Sequence, residues 1–317
     1  MRKKVVVLGG GTGMSSLLKG LKEFPVDITA VVSVCDDGRS TGRLREEFHV
    51  PAMGDIRQVL VSLSETEPLV EELLNYRFKT TSDLNGHPVG NLLLTAVSNM
   101  TGNMSSGVAS LGKVFNLKGK ILPLTDDDVV LVAKMEDGSI IEGEHNITEY
   151  DSKIMNVYYK EEPHVNEDVI KSIKEADLVI LSMGSIYTSI LPNLICKEVV
   201  DVLEKTSVPI MYTCNIMTQP GETDDLSVSE HLNIINKYLG NRKVDVVVAN
   251  NGVIKEEMRK KYETLEQKDP VLLDSKNLSD VKVISNDYVT IEKGFLRHDT
   301  ILLSLDIFKY LITNEKS

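Results

Sequence analysis

Residues 9–13, Gly-Gly-Gly-Thr-Gly, stand between a run of β-branched residues and a leucine-rich helical pattern. Glycine lets a backbone approach a ligand closely, and a helix N-terminus presents unpaired N–H groups with a partial positive charge. A tight connection without a ligand would also need glycine, and both the Walker pattern and the full G-x-G-x-x-G pattern are absent. The favoured interpretation is a phosphate-binding turn formed by Gly10, Gly11, Thr12 and Gly13.

Two adjacent carboxylates, Asp36 and Asp37, follow the second predicted strand. Such a pair repels unless a cation, a sugar hydroxyl or water satisfies it, so it is a candidate to bind a ribose or sugar. Together with Asp55 the pair could instead hold a metal ion, although Asp55 could equally cap a helix and the pair could be a solvated acidic turn. Arginines that suit phosphate oxygens follow in a Gly-Ser-Thr-rich loop, namely Arg39, Arg43 and Arg45.

Later predicted strands also end in polar residues. Gly184 and Ser185 form a second turn of glycine and hydroxyl residues, which suits an anion. Two such turns suggest a ligand with spread phosphates. Asn215 and Gln219 offer uncharged donors and acceptors to a base or a sugar.

Four further residues carry side chains that could react or bind a ligand. His87 and Asn91 lie at the mouth of an apolar helix pattern, where His87 could contact a ligand or serve as a structural histidine. Cys214 is expected to be a buried, inert thiol rather than a nucleophile, since no histidine is near it in sequence. Arg297 precedes the last helix pattern, where it could bind a ligand or simply lie on the surface.

The elements that must position these residues alternate along the chain. Residues 127–160 differ, because two strand-like runs flank Glu136-Asp137-Gly138 and a third follows, which predicts an antiparallel β insertion. Ser15 or Ser16 is expected to cap the first helix, and a last helix is expected at 300–313. The remaining pattern predicts an α/β, Rossmann-like, doubly wound and mainly parallel sheet within a single domain, 1–317, with strands near 5–8, 28–34, 177–182, 208–213 and 244–249.

Composition limits the partners. The 317 residues include 35 Lys and Arg against 47 Asp and Glu, a formal net charge of −12 that would repel nucleic acid and an anionic membrane. The three cysteines lack C-x-x-C spacing, so neither a disulfide framework nor a cysteine-built zinc site is indicated. No secretion signal and no apolar run of about 20 residues is found. We expect a cytoplasmic, soluble homo-oligomer without membrane insertion.

Seven stretches in order carry a resemblance to a known family. They resemble the YvcK family, also called the gluconeogenesis factors, which belong with the CofD 2-phospho-L-lactate transferases in one Rossmann-like superfamily. Arg39 departs from the family pattern, which usually has glycine there, and Ser182-Met183 stands where many members have Gly-Pro. The stretches are GGGTG (9–13), DDGRSTGRLR (36–45), GDIRQ (54–58), GHPVGNLLL (86–94), GSIYTSILPNL (184–194), CNIMTQPGETD (214–224) and LRHD (296–299).

The resemblance implies a cytoplasmic protein that binds UDP-sugars such as UDP-N-acetylglucosamine. It further implies a requirement for normal cell shape and wall synthesis during growth on gluconeogenic carbon. By match to the family's C-terminal motif, Arg297 would contact the UDP-sugar.

Two functions stay open. The first is a nucleotide-sugar sensor that binds without turnover and reports to cell-wall synthesis proteins. The second is a transferase similar to the CofD enzymes, which move a phospholactyl group from a guanosine diphosphate donor with Mg²⁺, held here by Asp36, Asp37 or Asp55. The chain has no Trp and only 5% aromatic residues, so it offers no evident platform for a flavin ring, which favours the sensor. NAD could occupy the same site, since it too is a diphosphate joined to riboses.

Overall fold

The computed structural model of the protein describes residues 2–65, 68–266 and 268–314, with all of their side chains except those of Arg39 and Leu265. In chain order, the strands are β1 (Lys3–Gly9), β2 (Val26–Val32), β3 (Lys120–Pro123), β4 (Leu131–Met135), β5 (Ile140–Glu142), β6 (Ile154–Tyr159), β7 (Leu178–Leu181), β8 (Ile210–Thr213), β9 (Val246–Asn250), β10 (Lys282–Asn286), β11 (Val289–Glu292) and β12 (Phe295–His298).

Helices connect most of these strands. A π-helical turn at Ile186–Ile190 and a 3₁₀ turn at Ser275–Asn277 complete the regular structure. The α-helices are α1 (Gly11–Leu21), α2 (Arg39–Phe48), α3 (Gly54–Leu63), α4 (Pro68–Asn75), α5 (Val89–Thr101), α6 (Met104–Val114), α7 (Glu144–Glu149), α8 (Glu167–Glu175), α9 (Leu191–Leu194), α10 (Lys197–Lys205), α11 (Val228–Asn236), α12 (Glu256–Glu266) and α13 (Thr300–Thr313).

A parallel sheet of seven strands forms the centre, in the order β10-β9-β8-β7-β1-β2-β3. From β1 the chain moves outward to β2 and β3, then returns to the other side of β1 at β7. This reversal confirms the predicted doubly wound, Rossmann-like α/β fold. In such a sheet the ligand crevice lies outside the carboxyl ends of the strands at the reversal, here between β1 and β7.

The central strand explains why its residues are apolar without alternation. Val5 pairs with Ile28 on one side and with Leu178 on the other, and Val5, Val7 and Leu8 are fully buried. Helices cover both faces of such a strand, so every side chain along it meets other apolar groups. The strand therefore holds the glycine turn that follows it in a rigid frame.

The start of α1 differs from the prediction. The helix begins at Gly11 with Gly10 before it, so the expected cap by Ser15 or Ser16 is wrong. Ser15 lies inside the helix with a buried hydroxyl that has no partner among the described residues. The glycine turn itself reverses the chain, and the helix starts as soon as that turn allows.

The insertion predicted for residues 127–160 contains an antiparallel sheet in the order β5-β4-β6, as expected. It also contains the short helix α7, which was not predicted, because only Ile147 in its six residues is buried and no helical periodicity is visible. A further antiparallel pair, β11 and β12, precedes α13. None of the helices in the described ranges is both long and apolar enough to span a bilayer. That the whole chain forms a single domain stays a prediction.

Candidate functional site

The two glycine turns predicted from the sequence lie side by side at the carboxyl edge of the sheet. A Cβ atom placed on Gly13 would lie 2.2 Å from the carbonyl oxygen of Met183, and one placed on Gly184 would lie 3.8 Å from the carbonyl oxygen of Gly10. Gly11 has a φ of +64°, in the left-handed region that favours glycine. The cap residue Gly10 has no side chain to accept a hydrogen bond from α1, and the Asp55 carboxylate accepts from the Gly11 N–H. The next N–H groups of the first turn, those of Thr12 and Gly13, are therefore available to an anion at the sheet reversal.

Asp55 braces the first glycine turn instead of capping its own helix. Helix α3 begins at Gly54, preceded by Met53, and a Cβ atom on Gly10 would lie 2.4 Å from Oδ2 of Asp55. Burial, followed by the nearby carboxylates of Asp36 and Glu144, raises the pKa of Asp55 to about 7, while the Gly11 N–H opposes the rise. Asp55 thus exchanges a proton near neutral pH beside the turn.

Asp36 and Asp37 are adjacent in sequence but make different contacts. The Asp36 carboxylate accepts hydrogen bonds from the Gly38 N–H at 2.9 Å and from the Thr41 hydroxyl at 3.0 Å, at the start of α2. The Asp37 carboxylate accepts from the His145 N–H at 2.8 Å, in the first turn of α7. Asp36 therefore lines the ligand side of the loop, and Asp37 attaches that loop to the antiparallel insertion.

The three carboxylates predicted to bind Mg²⁺ do not face one point: Asp55 lies beside the first glycine turn with Asp36 near it, and Asp37 faces the antiparallel insertion. Among the described residues, no group of three or more His, Cys, Asp or Glu side chains is arranged to hold a metal ion. Asp36 remains close enough to Asp55 for its negative charge to raise the pKa of Asp55. Mg²⁺ commonly uses only one or two carboxylates and takes its other ligands from water and substrate phosphates. Asp36 and Asp55 fit a cation that arrives with a diphosphate, and its binding stays a prediction.

A cleft of about 690 Å³ opens beside Asp36, and three arginines from different parts of the chain line it: Arg43 of α2, Arg57 of α3 and Arg77 of the loop after α4. We call it the arginine cleft. Gln58 also lines it and accepts a hydrogen bond from the Thr12 hydroxyl at 3.1 Å, which joins the cleft to the first glycine turn. A larger cleft of about 760 Å³ lies at the opposite edge of the sheet, away from both glycine turns.

His87 and Asn91 position the walls of this cleft. Nδ1 of His87 lies 2.9 Å from the Ser40 hydroxyl at the start of α2, and the His87 ring is buried. Burial lowers the pKa of His87. The Asn91 side chain is also buried and accepts a hydrogen bond from Nε of Arg57 at 3.0 Å. Direct ligand contact by either residue stays a prediction.

The expectation that Arg45 grips phosphate is wrong. Its guanidinium is buried and donates to Asp128 Oδ1 at 2.6 Å and to the carbonyl oxygens of Val129 and Asp36. These bonds attach α2 to the start of the antiparallel insertion. Arg43, two residues earlier, is exposed and makes no ion pair with any residue that the structure describes.

The second glycine turn is held by residues that the sequence assigned to a ligand. The Asn215 side chain accepts from the Gly184 N–H and donates to the Gly184 carbonyl oxygen, both at 2.8 Å. The Ser185 hydroxyl donates to Glu222 at 2.5 Å and accepts from the Thr188 N–H at 2.9 Å. Asn215 and Ser185 therefore position the turn, and Gln219 lies beside Asn215 at 3.5 Å.

Cys214 has a histidine near it in space, although none is near in sequence. Its Sγ lies 3.6 Å from Nδ1 of His231, and both side chains are buried. Burial raises the pKa of the Cys214 thiol to about 12 and lowers that of His231 to about 4. Both groups stay neutral near pH 7, which agrees with the expected inert thiol.

Arg297 lies on β12, on the exposed face of the β11–β12 hairpin. Its guanidinium carbon lies 5.4 Å from the centre of the Phe295 ring, and Nη1 donates to the Leu296 carbonyl oxygen. His298, the next residue, has Nε2 3.2 Å from the Cys214 carbonyl oxygen, at the end of β8. The hairpin is thus anchored at the carboxyl edge of the sheet, and ligand contact by Arg297 stays a prediction.

Sequence reasoning missed three residues of the site. Glu144 is half-buried, and burial followed by the Asp36 carboxylate raises its pKa to about 7. Glu222 is only 5% exposed and lies in the loop after β8. Arg77 lies in the loop after α4 and lines the arginine cleft. The QPGETD run beside Gln219 could have indicated Glu222, whereas nothing local singles out Glu144 or Arg77.

Comparison with known proteins gives concordant matches. A family model described as 2-phospho-L-lactate transferase CofD matches residues 5–289. The gluconeogenesis factor of Bacillus subtilis (strain 168) is 44% identical over 302 residues, covering 94% of this chain and 95% of that protein. The gluconeogenesis factor of Halalkalibacterium halodurans is 41% identical over 307 residues, covering 96% and 95%. A crystal structure of a UPF0052 family member from Bacillus halodurans is 40% identical, has a TM-score of 0.93, and covers 96% of this chain and 99% of that one.

Proposed function

The chain belongs to the CofD family and is homologous to the gluconeogenesis factors, and from this premise we propose that it is a regulatory protein that binds a UDP-sugar, UDP-N-acetylglucosamine in particular. The observation that carries the proposal is the meeting of two glycine turns at the reversal of the sheet. A diphosphate there accepts hydrogen bonds from the N–H groups of Thr12 and Gly13 in the first turn of α1 and is stabilised by the positive end of that helix.

The neighbouring groups support a ribose or sugar beside the diphosphate. Asp36, on the β2 side of the turn, offers carboxylate oxygens to hydroxyls. Asn215, on the β8 side, keeps the second turn in place and has Gln219 next to it for a base. Raised pKa values at Asp55 and Glu144 reduce the negative charge that a diphosphate meets near neutral pH.

The alternative function is a transferase of the CofD kind. The proximity of Asp36 and Asp55 favours it, because both carboxylates could hold Mg²⁺ against a diphosphate. Bound Mg²⁺ would neutralise charge on the phosphates. Aromatic residues are 5% of the chain, which argues against a ring-binding platform for a flavin acceptor and keeps the sensor as the main proposal.

A thermal-shift titration separates the two. UDP-N-acetylglucosamine is expected to stabilise the fold by roughly 2.7 kcal/mol at a hundredfold excess over Kd, with or without chelator. The nucleotide sugar recovered after incubation with Mg²⁺ is expected to be intact. A shift with guanosine diphosphate or a deazaflavin alcohol, and none with any UDP-sugar, would favour the transferase. A shift with NAD alone would favour a dinucleotide site.

The homologues' name supports one biological part of the proposal, a role in growth on gluconeogenic carbon. The rest follows the family resemblance: the protein acts in the cytoplasm as a homo-oligomer, reports nucleotide-sugar supply to cell-wall synthesis proteins, and supports normal cell shape on that carbon. Cells that carry Arg297→Ala as their only copy test this link. Normal shape on gluconeogenic carbon, despite lost UDP-sugar binding in vitro, would separate the cellular role from the ligand.

A further inference from the structure

The arginine cleft contains a buried cation, Arg57, that no carboxylate in the described ranges contacts directly, although the charges of Asp55 and Asp36 act on it from a longer distance. Arg57 is only 8% exposed, and its guanidinium donates to two neutral amides, Asn91 and Asn75. Within the described ranges, no carboxylate forms an ion pair with it, and no acceptor is bonded to its Nη2. A buried charge is costly unless an opposite charge and hydrogen bonds compensate it. Among the described residues, Arg57 therefore has no directly bonded anion on the side that lines the cleft.

The other two arginines of the cleft also have no carboxylate partner among the described residues. Arg43 makes no ion pair within the described ranges, and Arg77 donates only to the Gly86 carbonyl oxygen at 2.8 Å. Asp36 is the acid that lines the cleft, and its carboxylate already accepts from the Gly38 N–H and the Thr41 hydroxyl. Three guanidiniums in a protein of net charge −12 mark a small anion site rather than a polynucleotide surface.

We propose that the arginine cleft is an anion site separate from the two glycine turns and that it binds the phosphate group of a small phosphorylated molecule. Three guanidiniums from three elements suit a tetrahedral group with several terminal oxygens, whereas one guanidinium already satisfies a planar carboxylate. A volume of about 690 Å³ suits a small-molecule ligand. Through the Thr12–Gln58 hydrogen bond, this ligand lies next to whatever occupies the first glycine turn.

Calorimetric titration of the full chain with inorganic phosphate tests the site without any nucleotide. Arg43→Ala and Arg77→Ala are each expected to weaken phosphate binding on the order of 10-fold to 100-fold, since each removes a charge-assisted contact. Both side chains are exposed, so the fold is expected to persist. Arg259→Ala, an exposed arginine of α12, is the matched control and is expected to bind phosphate like the parent.

Three results would overturn the proposal. The first is no measurable phosphate binding, or binding that both cleft variants leave unchanged. The second is equal competition by acetate, which would assign the cleft to carboxylates. The third is loss of phosphate binding when UDP-N-acetylglucosamine saturates the protein, because the nucleotide's own diphosphate would then be the occupant. Retained phosphate binding beside the nucleotide supports a separate ligand, and the phosphate titration remains valid if no UDP-sugar binds.

Discussion

The substitution Glu222→Gln is expected to stabilise the protein at pH 8 and to leave it nearly unchanged at pH 5. Burial raises the pKa of Glu222 from its ordinary value of 4.5 to about 7, the Ser185 hydroxyl opposes the rise, and the Glu144 carboxylate adds to it. An acid whose pKa is raised on folding contributes stability at low pH that is lost as the pH rises through its folded value.

The size of the effect follows from the shift in the pKa of Glu222. A pKa rise of that size corresponds to about 3 kcal/mol in the free energy of unfolding, and the protein loses roughly 2 to 3 kcal/mol of this stability between pH 5 and pH 8. Glutamine keeps an oxygen that accepts the Ser185 hydrogen bond but carries no charge. The variant is therefore expected to exceed the parent by about 2 kcal/mol in free energy of unfolding at pH 8.

Urea unfolding of parent and variant at pH 5 and pH 8 measures this difference. Glu263→Gln, an exposed glutamate of α12, is the matched control and is expected to change the stability by less than about 0.5 kcal/mol at both pH values. Equal destabilisation of the variant at both pH values would show instead that Glu222 is a charged group that the fold needs.

Arg297→Ala is expected to weaken UDP-N-acetylglucosamine binding on the order of 10-fold to 150-fold by calorimetry, with Arg297→Lys recovering part of it, while the exposed position leaves the unliganded Tm unchanged. Asn215→Ala removes both bonds to Gly184 and is expected to cost roughly 2 kcal/mol in urea unfolding as well as ligand affinity. Gly13→Ala is expected to lower the unliganded Tm, since its Cβ meets a backbone oxygen at 2.2 Å. The Cβ of Gly10→Ala meets the Asp55 carboxylate at 2.4 Å and the Ser33 hydroxyl at 2.8 Å, so this variant is expected to lower both the unliganded Tm and the ligand affinity. In chelator, affinity is expected to fall from pH 6 to pH 8 as Asp55 ionises; a rise measured by calorimetry would contradict the charge argument.

Local sequence was sufficient where one segment forms a whole feature. The β-branched run before Gly9 predicts a central strand because both of its faces are buried, and the glycines that follow can form a turn wherever the strand ends. The hairpin turn around Gly138 was predictable because the turn and its two flanking strands lie within one segment. The start of α1 was not, because the turn itself and not a serine hydroxyl determines where the helix begins.

Contacts between distant segments were beyond such reasoning. Asn215 has the donor and acceptor that a base would need, but it uses both on Gly184, which precedes it by 31 residues. In the sequence, Arg57 has no feature that distinguishes it from other helix residues. Its place in the cleft depends on hydrogen bonds to the side chains of Asn75 and Asn91, which come from other elements. The pKa of Asp55 likewise depends on Glu144, which a separate sheet brings to the site.

A crystal structure of the protein with UDP-N-acetylglucosamine would show whether the diphosphate lies on the glycine turns. We expect diphosphate oxygens within hydrogen-bonding distance of the N–H groups of Thr12 and Gly13, with the sugar or ribose toward Asp36. A nucleotide bound away from both glycine turns, for example in the cleft at the opposite edge of the sheet, would contradict this expectation.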